Sequence, residues 1–572
     1  MSSAPAPLWS LQSPDAAVVQ ALAQGPLGRE LNPLLLHLLA LRGHEVEALA
    51  RTFLNPRLSD LGDPFVLPNM QAAVERIFQA VDKKESVVLY GDYDVDGVTS
   101  ITLLTHTLRA YGLDPRAFLP LRMEEGYGLS LDGLARCFER HGKPDLLIAL
   151  DCGTGSVAEA DWLKAQGVEC IIVDHHEPTP RLPECAALVN PKLQGEGGPF
   201  TYLCTVGLVF KLAHALLKTR RLEHFDLKDH LDLVAMGTVA DLVPLKEENR
   251  ALVRKGLDVL GATRCVGLKA LKDITGLDGF VQAHHIGFRL GPRLNAAGRL
   301  DTAQTALDLL LCTDPQEANE FASLLDLHNR ERQEVENTVQ REAQAMLASD
   351  PTLAQGECIV LGSRGWHPGV VGIVASRLMR EYHRPVLMLA FDENGMGKGS
   401  GRSVAGISLV AALDSCRHLL DKGGGHPMAV GVALQEGNLA AFRSAMIEGV
   451  RAQIRADELA PRLHLDAEIR LADLAPPFFD GYARMEPFGM GNPEPVFLCR
   501  GVEPNLPGQV LKEKHWKLML RQGKEVRPAM WFNAPVKDAP PSPWDVAIKV
   551  QRHSWRGQVS WQLMICEVRT AE

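Results

Sequence analysis

The chain has 572 residues, 46% hydrophobic and 23% charged, the balance of a globular protein that can bury sizeable cores and not of a disordered chain. Its length predicts three or four domains. The net charge of −10 excludes a wholesale basic coat for nucleic acid, yet the final segment 500–572 holds twelve Lys and Arg against seven Asp and Glu, so a polyanionic partner is expected there.

The opening residues, MSSAPAPLWSLQSPD, have no basic n-region and no apolar h-region. No run of about twenty apolar residues exists, so no membrane span is expected. The eleven cysteines are scattered without a CxxC pair, which predicts free thiols and a cytoplasmic location.

In chain order, residues 1–70 read as a helical lead-in broken by prolines, with no nameable chemistry. From 71 to 314 the pattern is α/β. SVVLY (86–90), DLLIAL (145–150) and CIIV (170–173) are buried-strand runs, and 98–112 reads as a helix. Residues 315–347 form one helical stretch with Pro315 in its first turn and Thr313-Asp314 as capping residues. At about 1.5 Å per residue it would reach nearly 50 Å, a rigid connector between lobes. Strand patterning resumes over 348–458 in ECIVLGS (357–363) and RPVLMLAF (384–391), followed by glycine-rich runs at 395–403 and 422–432. The last stretch, 459–572, has short strands with Pro and Gly turns.

Four acidic clusters each follow an apolar run: GDYDVDG (Asp92, Asp94, Asp96), DCGTG (Asp151), DHH (Asp174, His175, His176) and GTVADLVPL (Asp241). Read as strand ends of one open parallel sheet, they face a common crevice. Carboxylates brought together repel unless cations neutralise them. Oxygen ligands with one or two imidazoles suit Mn²⁺ or Mg²⁺, and two such ions can grip a phosphodiester. Taken singly, a DxDxD triplet is as well a solvated turn or a calcium loop, a His pair a surface feature, and an Asp after a strand a helix cap. The combination in this order is what points to a shared metal site.

These four motifs resemble those of the DHH phosphoesterase superfamily. The resemblance implies that Asp94, Asp96, Asp151, His175 and Asp241 bind two divalent cations, with Asp151 bridging, Asp92 supporting the first metal and His176 either beside the substrate phosphate or behind the direct ligands. Many superfamily members have a His four residues before the first ligand Asp; here that position is Tyr90.

GSGRS (399–403) and GGGHP (423–427) are either flexible hairpin loops or turns whose N–H groups and Arg402 face a phosphate. Together, after a DHH domain, they resemble the DHH-associated domain, which implies that His426 contacts the scissile phosphate and that Ser400 and Arg402 are phosphate ligands. GFRLGPRLNAAGRLD (287–301) and LPLRMEEGYGLS (119–130) are similar to the RecJ branch of the superfamily. They make Arg293, Asn295 and Arg299 candidates for DNA or metal-side contacts and Arg122 a candidate for a terminal 5′ phosphate. Such arginines are otherwise solvated or paired with local glutamates.

Trp516, Trp531, Trp544, Trp555 and Trp561 are five of the eight tryptophans and are interleaved with Lys512, Lys514, Lys517, Arg521, Lys524, Arg552 and Arg556. Aromatic faces stack unpaired bases while cations track the backbone, the description of an OB-fold binder, with Trp516 as a DNA contact. The same tryptophans could instead fill a small barrel core. EPFGMGNPEPVF (486–497) resembles the RecJ linker into that domain.

The expected fold is therefore multi-domain α/β: a parallel-sheet DHH domain, a long helix, a DHH-associated α/β domain and a C-terminal OB-fold β-barrel. The resemblance implies a 5′→3′ exonuclease on single-stranded DNA, releasing 5′-mononucleotides in DNA repair and recombination. It also implies a monomer whose family context includes a single-strand-binding protein and a helicase. Two other readings are a small-substrate phosphodiesterase or pyrophosphatase of the same superfamily, and a scaffold that has lost its metal ligands. The basic, Trp-rich domain counts against the former and the intact carboxylates against the latter.

Overall fold

A computed structural model describes residues 7–121, 125, 128–195, 197–300, 302–454, 461–535, 539–555 and 558–571. The chain forms two compact units, one of residues 11–326 and 464–572, the other of 327–463 with the first ten residues.

The first unit is built on a parallel sheet of β1 (Val87–Gly91), β2 (Arg116–Phe118), β3 (Leu146–Leu150), β4 (Glu169–Val173) and β5 (Ala187–Val189), in the order β2-β1-β3-β4-β5. The strands are apolar on both faces because both are covered. Leu89, Ile148 and Ile171 face a large helical layer, while Val88, Leu147 and Ile172 face a smaller one. The large layer holds α1 (Val95–Ala110), α2 (Thr205–Thr219) and α3 (Leu231–Ala240). The edge strands β2 and β5 have three residues each, too few for a period to show in the sequence.

The second unit carries β6 (Ile359–Ser363), β7 (Val386–Phe391), β8 (Met396–Arg402), β9 (Lys422–His426) and β10 (Ala429–Gln435), in the order β9-β10-β8-β7-β6. Both glycine-rich runs are strands, not the loops or turns expected. Glycine is what lets β8 lie flat on the core: a Cβ on Gly397 would meet Phe391 at 2.4 Å, on Gly399 Leu389 at 2.7 Å and on Gly401 Val430 at 2.7 Å. The long helix runs Pro315–Ser349, two residues beyond expectation, and the chain passes between units within it. Its cap is Asp314, whose carboxylate accepts from Gln316 N and Glu317 N at 2.8 and 3.0 Å.

The C-terminal barrel belongs to the first unit. Its strands are β11 (Ala467–Glu468), β12 (Phe497–Pro504), β13 (Gln509–Leu511), β14 (His515–Gln522), β15 (Glu525–Phe532), β16 (Trp544–Trp555) and β17 (Gln558–Thr570). The order β11-β12-β16-β17-β15-β14-β13 closes through β12–β14. This is the OB topology expected.

The amino-terminal segment is more than a lead-in. Leu22, Leu35, Leu38 and Leu39 share one core with Phe478, Tyr482, Trp516 and Trp544 of the barrel and its approach. The contact is close: a Cβ on Gly481 would lie 2.2 Å from Leu35 Cδ1. The helix PLLLHLLAL is apolar on too many sides to be a solvated cap, and the barrel covers it. Arg250, 2% exposed, ties the parts together by donating to Phe53 O, Met485 O and Glu486 O at 2.7, 2.8 and 2.9 Å. Leu35→Ala is therefore expected to cost about 2–5 kcal/mol in urea unfolding followed by tryptophan fluorescence; a loss under about 0.5 kcal/mol would contradict a shared core.

Candidate metal centre

The ligand-bearing residues stand where the parallel ladder runs out. Asp92 N donates to Leu150 O at 3.2 Å, Asp151 N to Val173 O at 3.1 Å and Asp174 N to Val189 O at 3.1 Å, so the ladder continues one residue past each strand. The side chains that follow are fixed by the sheet. Asp94 caps α1, its Oδ1 accepting from Asp96 N and Gly97 N at 2.9 and 3.1 Å. That cap starts α1 at Val95, three residues earlier than its apolar pattern indicated. Asp151 has φ +63°, a left-handed backbone that a non-glycine residue holds only when its surroundings enforce it.

Asp241 corrects the sequence reading in one respect. It does not follow a strand but ends helix α3. LDLVAMGTVA is buried nearly all round, and a short apolar run does not distinguish a buried helix from a buried strand. Gly237 lets this helix approach: a Cβ there would lie 2.6 Å from Thr99 Oγ1 and 3.0 Å from Asp96 Oδ1.

Three sets of ligand atoms lie within 4.8 Å of one another: Asp92, Asp94 and Asp151; Asp96, His175 and Asp241; and Asp151, His175 and His176. Asp151 belongs to the first and third of these sets, and His175 to the second and third. His175 Nε2 is 3.4 Å from Asp151 Oδ1 and 3.6 Å from Asp241 Oδ2. Neither that nitrogen nor Asp241 Oδ2 has a hydrogen-bond partner among the described residues, although both atoms are buried. Buried acceptors left in this way fit a cation between them, and the oxygen-rich set with one or two imidazoles fits Mn²⁺ or Mg²⁺. Tyr90 stands outside the cluster, buried with its hydroxyl donating to Gly128 O at 3.2 Å; Asp92 completes the first set instead.

Two residues that the motifs left unassigned position these ligands. Thr205 Oγ1 donates to Asp151 Oδ1 at 2.9 Å, and Thr205 N and Val206 N, the first turn of α2, donate to the Asp96 carboxylate at 2.7 and 2.8 Å. A helix N-terminus thus partly offsets the buried negative charge. Asp174 accepts from Thr154 N, His175 N and His176 N and contacts His176 Nδ1 at 2.7 Å, leaving Nε2 as the other ring atom. Asn190 Nδ2 donates to Thr154 Oγ1 and His176 O, both at 2.9 Å. Asn190 directly follows the apolar run Ala187–Val189, a signal that could have singled it out; nothing in the sequence marks Thr205.

The charges are strained in the same sense. Burial and then Asp94 push Asp96 up to about 7. Burial and then Asp96 and Asp94 push Asp241 up to about 8 and carry Asp151 well above the carboxylate range. Burial and then His176 bring His175 down to about 3. Against burial, the contact between Asp174 and His176 holds Asp174 below its usual range and raises His176. Without cations, the cluster retains protons.

The other expected residues fall into four groups. Arg293 pairs with Asp326 at 2.8 Å and donates to Arg289 O at 2.7 Å, which ties two helices together. It lies with half-buried Asn295 and Arg299 on α4 (Gly291–Leu300). That helix lies over the metal loops: a Cβ on Gly298 would be 3.1 Å from Tyr93 O, and on Gly291 3.8 Å from Ala240 Cβ. Ser400, Arg402 and His426 belong to the other unit; Arg402 Nη1 donates to Ser400 Oγ at 2.7 Å, and His426 is exposed at the end of β9. Arg122 lies outside the described residues. Trp516 is a correction: it is 4% exposed, 6.3 Å from Trp531 and 6.2 Å from Trp544, with Nε1 donating to Pro507 O at 2.7 Å. It fills the barrel core.

A parallel sheet whose strand ends converge carboxylates and imidazoles on a cation site defines a metal-dependent phosphoesterase of the DHH type. The chain matches the DHH family N-terminal domain over residues 86–238, the DHHA1 domain over 355–452 and the RecJ OB domain over 465–567. It is 36% identical to the single-stranded-DNA-specific exonuclease RecJ of Bacillus subtilis, over 99% of this chain and 71% of that protein. It is 33% identical to the protein of the same name from Escherichia coli, over 94% and 96%. The crystal structure of RecJ in complex with Mn²⁺ from Thermus thermophilus superposes with a TM-score of 0.82 at 31% identity, covering 99% of this chain and 80% of that one. The chain belongs to the RecJ family.

The raised carboxylates give the metal-free protein a defined pH response. Their folded pKa values lie above the ordinary 3.8, so the folded state keeps protons the unfolded state has lost, and stability falls as pH rises towards about 8. The depressed His175 acts oppositely, but only below its ordinary 6.5. Between pH 6.5 and 8 the metal-free Tm should fall, and saturating Mn²⁺ should remove the fall. A metal-free Tm that is flat or rising across that window would contradict the coupling.

Proposed function

We propose that this chain is a metal-dependent exonuclease that degrades single-stranded DNA from its 5′ end and releases 5′-mononucleotides. The observation that carries the reading is the pairing, in one unit, of the carboxylate–histidine cluster with an OB barrel. Asp92, Asp94 and Asp151 would hold one cation; Asp96, His175 and Asp241, with Asp151 between the sets, would hold the other. When bound, such cations stabilise charge on a phosphodiester and lower the pKa of an attacking water. His176, whose pKa is raised, against burial, by its contact with Asp174, presents Nε2 to a phosphate oxygen. Ser400, Arg402 and His426 are the proposed phosphate ligands of the second unit, with Arg293, Asn295 and Arg299 near the strand and Arg122 at the 5′ phosphate.

The barrel's strand-binding face is the outer side of β14 and β15. There His515 pairs with Phe532, Lys517 with Met530, Met519 with Pro528 and Arg521 with Val526. Phe532 is 52% exposed and meets His515 edge-on at 5.0 Å. Their neighbours Trp516, Leu518 and Leu520 point inward. Phe532 and His515 thus offer base platforms, and Lys517 and Arg521 offer charge to the backbone. No described helix is long and apolar enough to cross a membrane. We place the protein in the cytoplasm as a monomer acting in repair and recombination, with a single-strand-binding protein and a helicase as partners.

Mn²⁺- or Mg²⁺-dependent assays on DNA labelled at either end test the chemistry. Mononucleotides should appear from the 5′ end of single strands and not from duplex, and Asp151→Ala should abolish them while retaining DNA binding. Turnover of dinucleotides or pyrophosphate alone would move the chain to the small-substrate branch.

Outer-face variants test the barrel without disturbing its core. Lys517→Ala with Arg521→Ala should weaken single-strand binding and lower the salt slope by about 1.4. Phe532→Ala should cost about 1–3 kcal/mol in fluorescence anisotropy. An unchanged slope and affinity would remove this face from the DNA path.

A further inference from the structure

Leu242 follows Asp241, the residue that caps helix α3, and has φ +60°. It is 70% exposed. A left-handed residue just past a helix is ordinarily Gly, or Asn, because a branched side chain is strained there. Leucine is disfavoured twice at this position, by its backbone conformation and by an aliphatic side chain held in water. Glycine would remove both penalties.

The conformation is enforced from both sides. Asp241 N donates to Gly237 O at 2.9 Å and Leu242 N to Val239 O at 3.4 Å, the closing turn of α3. Three residues on, Leu245 N donates to Met490 O at 2.7 Å, and Cβ atoms on Gly489 and Gly491 would lie 2.7 Å from Leu245 Cδ1 and 3.0 Å from Pro244 Cβ. The approach to the barrel therefore holds the segment that follows Asp241 and Leu242.

We infer that Leu242 is a positioning residue, an aliphatic wedge that packs against the sugar and base of the nucleotide adjoining the scissile phosphate. The inference rests on the exonuclease reading above. Carboxylates and cations can hold a phosphate but give no purchase on the nucleoside beside it. An aliphatic surface takes any base, because every base has an apolar face. An exposed leucine next in the chain to a proposed cation ligand meets that need without reading sequence.

The test compares the full-length chain with Leu242→Asn, since asparagine accepts the left-handed conformation. Substrates are a single-stranded oligonucleotide and the same strand with an abasic residue at its first or its second position. KM for the intact strand should rise roughly five- to tenfold in the variant, with a smaller change in kcat. An abasic residue at one of the two positions should raise the wild-type KM by a similar factor and add nothing in the variant, the sign of a shared contact. Tm should be unchanged or higher, and Mn²⁺ affinity by calorimetry unchanged.

An equal KM in the two proteins, or abasic penalties that remain equal in both at both positions, would overturn the wedge alone. So would a higher KM accompanied by a lower Tm or weaker Mn²⁺ binding, which would make Leu242 a structural support. Absence of wild-type turnover on the intact strand would overturn the exonuclease reading and the wedge with it.

Discussion

Mutual repulsion among buried carboxylates is the constraint around which this molecule is organised. Asp92, Asp96 and Asp151 are 0, 1 and 2% exposed, and in such surroundings like charges cannot all ionise unaided. The parallel ladder nevertheless forces them together, because the backbone of Asp92 and Asp151 continues it past the strand ends. Relief comes from three sources: the N-terminus of α2 on Asp96, the Thr205 hydroxyl on Asp151, and cations between the ligand sets. The first two are built into the fold. The third is the chemistry the fold exists to use.

The supporting structure follows from that constraint. Helix α3 must approach closely enough to bring Asp241 in, which only a glycine at 237 permits. The segment beyond Asp241 is then gripped by the barrel's approach, so the OB barrel and the end of α3 share a mechanical support. Arg250 and the amino-terminal leucines extend that support from the other side. The OB barrel and the carboxylate cluster thus belong to one compact unit.

Much of this was legible in the sequence, for identifiable reasons. Strands β1, β3 and β4 are continuous apolar runs ended by Gly or Asp, and their ends bring Asp92, Asp151 and Asp174 to one edge of the sheet. The long helix was readable because no Gly or Pro follows Pro315 within it. What was not legible depended on partners remote in the chain. Asp241 sits on a helix whose burial hides its period. The glycines of β8 look like a loop until Phe391, Leu389 and Val430 are seen to need the space. Trp516 alternates with Lys517 along β14, so its direction follows from register and not from composition. The leucines of 33–41 have no evident purpose until the barrel covers them. Thr205, far from every motif, acts only because α2 begins at the carboxylates.

Anomalous diffraction from crystals soaked in Mn²⁺ tests the central claim most directly. The account predicts two peaks, one among Asp92, Asp94 and Asp151 and one among Asp96, His175 and Asp241, with Asp151 reaching both. A single peak that Asp151 does not touch, or no peak within the carboxylate cluster at saturating Mn²⁺, would contradict it.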